Sequence, residues 1–259
     1  MDNSERVQFF ARFAGVTVKV TCAHRSTLDK CRDYLITSES PAAGLPAPQI
    51  NAVITQENIE EIRVLNAHSE QAEGIEHRAF SDRYLEALAL HKAVSDKMPA
   101  FNRVLFHCSS IEVGGRAVAF TAPSGTGKST HSRLWCQVYG DEVTYINDDK
   151  PFIGIDGGEL YIYGSPWMGK HSLGRPARVP LAAIGLIVRD EKNFAKRMTP
   201  GEAFLTVIKQ IHRPADIEMM KRTTQIMKQI AETVPMYEIH CNMDPEAAMV
   251  SRAAMLGDV

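Results

Sequence analysis

The chain has 259 residues, enough for one large domain or two small ones with a proper hydrophobic core. Its 44% hydrophobic and 23% charged residues are ordinary globular proportions, and a net charge of −2 removes the electrostatic case for nucleic acid as a partner. Five scattered cysteines (Cys22, Cys31, Cys108, Cys136 and Cys241) without a CxxC pair point to reduced thiols rather than a disulfide frame or zinc site. The longest apolar run, around Val179 to Val188, is too short to span a bilayer, and no signal-peptide pattern opens the chain. No membrane partner and a cytoplasmic location are therefore expected.

The first part reads as strand-rich. Val7 to Phe13 and Val16 to Val20, around a turn at Gly15, predict a hairpin. Residues 38–48 carry three prolines and read as a loop, 49–54 as a strand, and Ile62 to Leu65 as another. Apolar spacing from Phe80 to Met98 predicts a helix ended by Pro99, linking a module over 1–98 to the rest. Strands follow at Val104 to His107 and Ile111 to Val113. Gly114-Gly115 then turns the chain into the strand Ala117 to Phe120. Beyond, the spacing predicts a helix around Leu134 to Val138, a strand at Val143 to Ile146, and a hairpin folded at Asp156-Gly157-Gly158. A buried strand over 180–188 precedes Thr199-Pro200-Gly201-Glu202, which has capping-box spacing and opens a helix through about Ile211. A helix from about Ala215 to Thr233, a strand at Met236 to Cys241 and a short helix after Asp244-Pro245 complete the order.

The most informative stretch is Ala122-Pro123-Ser124-Gly125-Thr126-Gly127-Lys128-Ser129-Thr130, set between a strand and a helix. That setting is what a phosphate-cradling P-loop requires. Small residues let successive backbone N–H groups turn onto phosphate oxygens, and the helix N-terminus adds partial positive charge. Ser124 to Thr130 are the candidate ATP-binding residues. Lys128 would reach the β and γ phosphates, and the Ser129 hydroxyl would ligate Mg²⁺, or Mn²⁺ in its place. The usual first glycine is replaced by Ala122, which fits if that residue keeps φ negative.

One helix later the strand 143–146 ends in Asn147-Asp148-Asp149-Lys150. Of two carboxylates beside a P-loop, one can hold the metal and the other can accept the proton of an attacking hydroxyl. The Asn-Lys-x-Asp motif that reads guanine is absent, which argues against a small GTPase. Residues 104–170 resemble the P-loop kinase domain shared by HPr kinase/phosphorylase and, more remotely, phosphoenolpyruvate carboxykinase. In that group a P-loop is followed one helix later by an Asp-Asp strand end. The resemblance implies an α/β fold in which a kinase domain over 99–259, on a mixed sheet, follows the smaller strand-rich module. It implies transfer of a phosphoryl group to a hydroxyl, and a homo-oligomer, since relatives of this domain often assemble. HPr kinases carry a histidine on the strand before the P-loop strand, near the catalytic acid, and His107 sits where that match places it; a core histidine is the plain alternative. Their Glu-x-Arg-Gly pattern after the acid pair is replaced here by Tyr161-Ile162-Tyr163-Gly164, and no match exists to the loop associated with phosphorylase activity. A divergent HPr-kinase-like group is the expectation.

Gly164 to His171 is the candidate acceptor loop. Lys170, with Arg175 and Arg178 behind it, would neutralise transferring oxygens, and Trp167 would stack on a base or substrate. The same residues equally describe a Pro/Gly loop with solvated cations and a core tryptophan. Arg133 and His131 face phosphate or simply belong to the helix surface. The expected roles are Lys128 and the loop amides on the phosphates, Ser129 and Asp149 on the metal, Asp148 as base and His107 tuning it. The two aspartates could exchange roles. The acceptor is a serine of a protein or peptide, or a small hydroxyl compound; the alternative is an ATP-binding regulator without phosphotransfer.

Overall fold

The computed structural model describes residues 6–37, 46–73 and 78–257. It divides into two compact units, Met1–Lys97 and Met98–Val259. In the first unit, β1 (Val7–Phe13) and β2 (Val16–Cys22) pair antiparallel across Ala14 and Gly15. Both turn residues have positive φ, 48° and 82°, the geometry that matches strand twist in a two-residue hairpin. After α1 (Arg25–Lys30), β3 (Ile50–Val53) adds parallel to β2. The loop expected over 38–48 lies outside the described residues for 38–45.

The strand expected at Ile62 to Leu65 is instead the middle of α2 (Gln56–Glu73). Thr55 and Asn58 explain the difference, because each accepts a hydrogen bond from the other's backbone N–H and so caps the helix reciprocally. Once helical, the apolar run splits, with Ile59 and Ile62 buried and Val64 and Leu65 exposed. In α3 (Asp82–Ser95), capped by Ser81, the fully buried Glu86 accepts from the Ala23 and His24 N–H groups and the Thr27 hydroxyl. A carboxylate there satisfies the start of α1.

The second unit follows the predicted order closely. Its elements are β4 (Arg103–Leu105), β5 (Ser109–Val113), β6 (Arg116–Thr121), α4 (Lys128–Tyr139), β7 (Val143–Asn147), β8 (Phe152–Asp156) and β9 (Glu159–Tyr163). Then come β10 (Arg178–Arg189), β11 (Phe194–Arg197), α5 (Pro200–Gln210), α6 (Ile217–Thr233), β12 (Met236–Cys241) and α7 (Pro245–Leu256). The Thr199–Glu202 capping box is formed in full at the start of α5. β11, a four-residue edge strand antiparallel to β12, has no counterpart in the sequence reading.

These strands make one curled mixed sheet of nine, in the order β4-β8-β9-β10-β6-β5-β7, with β12 and then β11 on the other branch of the long β10. Residues alternate along β6 between two cores. Ala117 and Ala119 pack with α5 and α6 residues such as Val207 and Ile230. Val118 and Phe120 pack with Leu134 and Trp135 of α4 and Ala248 and Leu256 of α7. Helices therefore cover both faces, which is why β6 reads as an unbroken apolar run. Among the described residues no helix is long and apolar enough to cross a membrane.

Candidate active site

Strand direction assembles the site. β10 runs parallel to β6 and to β12, while β5 runs antiparallel to both β6 and β7. The carboxyl ends of β6, β7, β10 and β12 and the start of β5 thus share one edge, where ligands of open α/β sheets bind. The loop after Thr121 occupies the middle. On one side lie His107, which precedes β5 and whose carbonyl accepts from Thr121 Oγ1, and, beyond β5, the Asp148-Asp149 turn, about two strand spacings or ~10 Å away. On the other side lie the ends of β10 and β12.

Two glycines give the loop its shape. Gly125 (φ 74°) and Gly127 (φ 134°) occupy backbone regions that L side chains rarely adopt, although a Cβ on Gly125 would meet nothing within 4 Å. Ala122 is fully buried and is not among the residues with positive φ, so its methyl group belongs to the core and the missing first glycine costs the loop nothing. No side chain caps the start of α4 at Gly127, which leaves N-terminal amides available to an anion. Arg189, at the end of β10, donates to the carbonyls of Thr126 (2.9 Å) and Gly125 (2.5 Å). It thereby ties down the outward carbonyls of a loop whose function would need inward N–H groups. The sequence reading missed Arg189. Its signal was a cation closing the apolar run of β10.

Lys128 is buried at 8% exposure, and its Nζ donates to the Ala122 carbonyl at 3.0 Å. Burial pushes its pKa down. Ser129 is half-buried, and Ser124 and Thr130 are exposed.

Asn147 builds the acid turn. Its Oδ1 accepts from the N–H groups of Asp149 (2.9 Å) and Lys150 (2.7 Å), and its Nδ2 donates to the carbonyl and hydroxyl of Ser165. Asp148 is 5% exposed and accepts the Gly169 N–H on Oδ1 at 2.7 Å. His107 does not partner Asp148 as expected. Its Nε2 lies 3.2 Å from Asp149 Oδ1 instead, with the two side chains 28% and 33% exposed. The reason is backbone placement: the His107 N–H donates to the Gln210 carbonyl and its own carbonyl accepts from Thr121 Oγ1, while the next N–H, of Cys108, holds the Asp149 carbonyl.

Burial works to raise the Asp149 carboxyl, yet the His107 hydrogen bond with Lys150 and Lys128 outweighs it and holds the group below the usual carboxylate range. For His107 the bond to Asp149 works upward, but burial and the charges of Lys150 and Lys128 prevail and lower its pKa. The pair therefore stands at neutral pH as a neutral imidazole beside a carboxylate. Each of Lys128 and Asp149 senses the other's charge.

The expected acceptor residues are dispersed. Trp167 is 4% exposed and packs edge-on against Phe152, so its ring belongs to the core and is not offered for stacking. Arg175 pairs with Glu112, which sits opposite Ala117 at the start of β6, the end of the sheet away from the glycine loop. Arg178 pairs with Asp156 and lies over the Tyr161 ring. His131 is buried against Ser251 Oγ, and burial pushes its pKa down to about 4, so it carries no positive charge for an anion at neutral pH. Lys170 is exposed, next to the Gly169 that holds Asp148. Arg133 is exposed on α4, its Nη1 3.5 Å from His171 Nε2. Lys170 and Arg133 stay exposed near the shared edge.

The edge also carries a cavity that the sequence did not foretell, of about 690 Å³, bordered by Gly127, Thr130 and Arg133 on one side and by Arg189 and Met243 on the other.

No protein-family model matches the chain, and no curated protein matches it. Among solved structures, the HPr(Ser) kinase/phosphatase from Coxiella burnetii is similar over 57% of this chain and 93% of that chain, with 11% sequence identity and a TM-score of 0.33. A likeness that remote says nothing about chemistry.

Proposed function

We propose that the chain transfers the γ-phosphoryl group of ATP to a hydroxyl acceptor, a serine of a protein or peptide or a small molecule. The observation that carries the reading is convergence at one sheet edge: the glycine loop with buried Lys128, and the His107–Asp149 pair on its β5 and β7 side. Loop amides and the Lys128 ammonium suit phosphate oxygens. A base must be reachable by an incoming hydroxyl, and Asp149 keeps a third of its side chain exposed while Asp148 is nearly sealed. Asp149 is therefore the proposed base and His107 the residue that orients it, the reverse of the assignment expected from sequence.

In the step itself, the hydroxyl proton passes to Asp149 as the oxygen attacks the γ-phosphorus in line. The bond to the β–γ bridging oxygen breaks, and ADP leaves. A hard cation would take oxygen donors, and those this chain would offer are Ser129 Oγ in the first turn of α4 and the Asp148 carboxylate, since magnesium commonly binds through one or two carboxylates plus substrate phosphates. Bound magnesium would offset the negative charge of the phosphates.

The test is an ADP-release screen of serine peptides and small hydroxyl compounds. Acceptor-stimulated release that disappears in Asp149→Asn, with ATP binding retained, is the expected result. ATP turnover indifferent to every acceptor, together with nucleotide-dependent association with another protein, would instead make the chain a regulator.

A further inference from the structure

The 690 Å³ cavity lies on the opposite side of the glycine loop from the acids. Its size is in the range of sites that enclose small ligands. One wall is a single face of α4: Thr130, Arg133, Leu134 and Gln137 recur at helical spacing, and Thr130 to Gln137 spans about 10 Å along the axis. The opposite wall comes from the ends of β10 and β12, with Ile187, Asp190 and Met243. Leu134, Ile187 and Met243 supply apolar surface on which a flat ring can lie. Arg133, Arg189 and the Asp190 carboxylate, itself held by His240 and the Lys192 N–H, surround it with polar groups. Met243 is 77% exposed, the most exposed large apolar side chain among the described residues, and it stands at the mouth of this cavity.

We infer that this cavity holds the ribose and base of the nucleoside triphosphate, an assignment that rests on the phosphate-binding reading of the loop. Thr126, Gly127 and Thr130 belong to both the loop and the cavity wall, so a phosphate chain seated on the loop continues into the cavity without a break. Direction follows from the strand order. With His107 before β5 and Asp149 after β7 both on that side of the loop, the γ end points toward β7, and the nucleoside must leave toward β10 and β12, where the cavity is. Arg189 stands at the junction, on the loop carbonyls and in the cavity wall.

The experiment compares ADP with pyrophosphate, which share two phosphates and differ by the nucleoside, by calorimetric titration and competition in the presence of Mg²⁺. The variants are Met243→Asp and Gln137→Trp, both at exposed positions, with Lys128→Ala as the control for the loop. ADP should bind the unaltered chain at least tenfold more tightly than pyrophosphate. Met243→Asp and Gln137→Trp should each weaken ADP about tenfold and leave pyrophosphate unchanged, whereas Lys128→Ala should weaken both. Equal affinities for the two ligands, or cavity variants that leave ADP binding intact, would overturn the cavity assignment while leaving the phosphate reading standing. A chain that binds neither ligand would overturn both.

Discussion

Asn147→Ala should destabilise the second unit and disturb its chemistry together. Asn147 is fully buried and its side chain makes four hydrogen bonds: two accepted from the Asp149 and Lys150 N–H groups, two donated to the Ser165 carbonyl and hydroxyl. Each is worth about 1 kcal/mol net, and a buried partner left unpaired costs at the upper end of that range. The Ser165 carbonyl would be left so, since Ser165 is fully buried. The Asp149 and Lys150 amides lie in partly buried surroundings and would recover part of the loss from water. The expected cost is about 3 kcal/mol, or about 6–12 °C in Tm for a domain of this size. Asn147→Asp separates the two halves of the account. Its carboxylate keeps the accepted bonds but points an acceptor at the Ser165 carbonyl and adds a charge beside two others, so it should be at least as unstable at neutral pH. Urea unfolding monitored by tryptophan fluorescence reads both variants, because the buried Trp167 sits beside the turn, its backbone N–H donating to the same Ser165 hydroxyl. A loss below about 0.5 kcal/mol in Asn147→Ala, or an Asn147→Asp variant as stable as the original, would refute the account of the acid turn.

Two predictions concern pH. His107→Ala removes the hydrogen bond that most strongly lowers the Asp149 pKa, so that pKa should rise and the acid limb of the kcat/KM profile should move to higher pH; an unmoved limb would separate His107 from the base. His131 has a folded pKa of about 4, below its unfolded value, so the unfolded state takes up the proton first. Stability should therefore fall as pH drops from about 6.5 to about 4, by about 3 kcal/mol in total, a slope that His131→Phe should flatten in denaturant titrations across that window.

The second unit was legible because its signals are local. A capping box at Thr199, a Gly-Gly hairpin turn and apolar runs of strand length act over a few residues, and they determine those elements wherever the chain goes. The misreadings share a physical cause. Ile62 to Leu65 could be strand or helix by composition, and the reciprocal cap at Thr55 and Asn58 decided it from outside the run. β11 is too short to carry an alternation signal and exists through its pairing with β12. The site divides in the same way. The glycine loop is a contiguous motif, so its place between a strand and a helix could be anticipated. The fates of Arg175 and Trp167 depend on Glu112 and Phe152, which are distant in sequence, and no spacing rule reports such partners. Asn147 was in view as the neighbour of two acids, but its buried connection to Ser165 exists only in the folded chain.

The clasp of Arg189 on the glycine loop bears on the thermodynamics of ligand capture. A loop of this kind, left loose, would surrender about 1–2 kcal/mol of conformational freedom for each residue fixed when an anion arrives. Here the carbonyls of Gly125 and Thr126 are already held by the Arg189 guanidinium. Part of the ordering cost has thereby been met during folding, which would favour fast association with an anion. On the proposed phosphate-binding reading, removing the guanidinium would return that cost to the encounter and slow it, even with Lys128 and the loop residues unchanged.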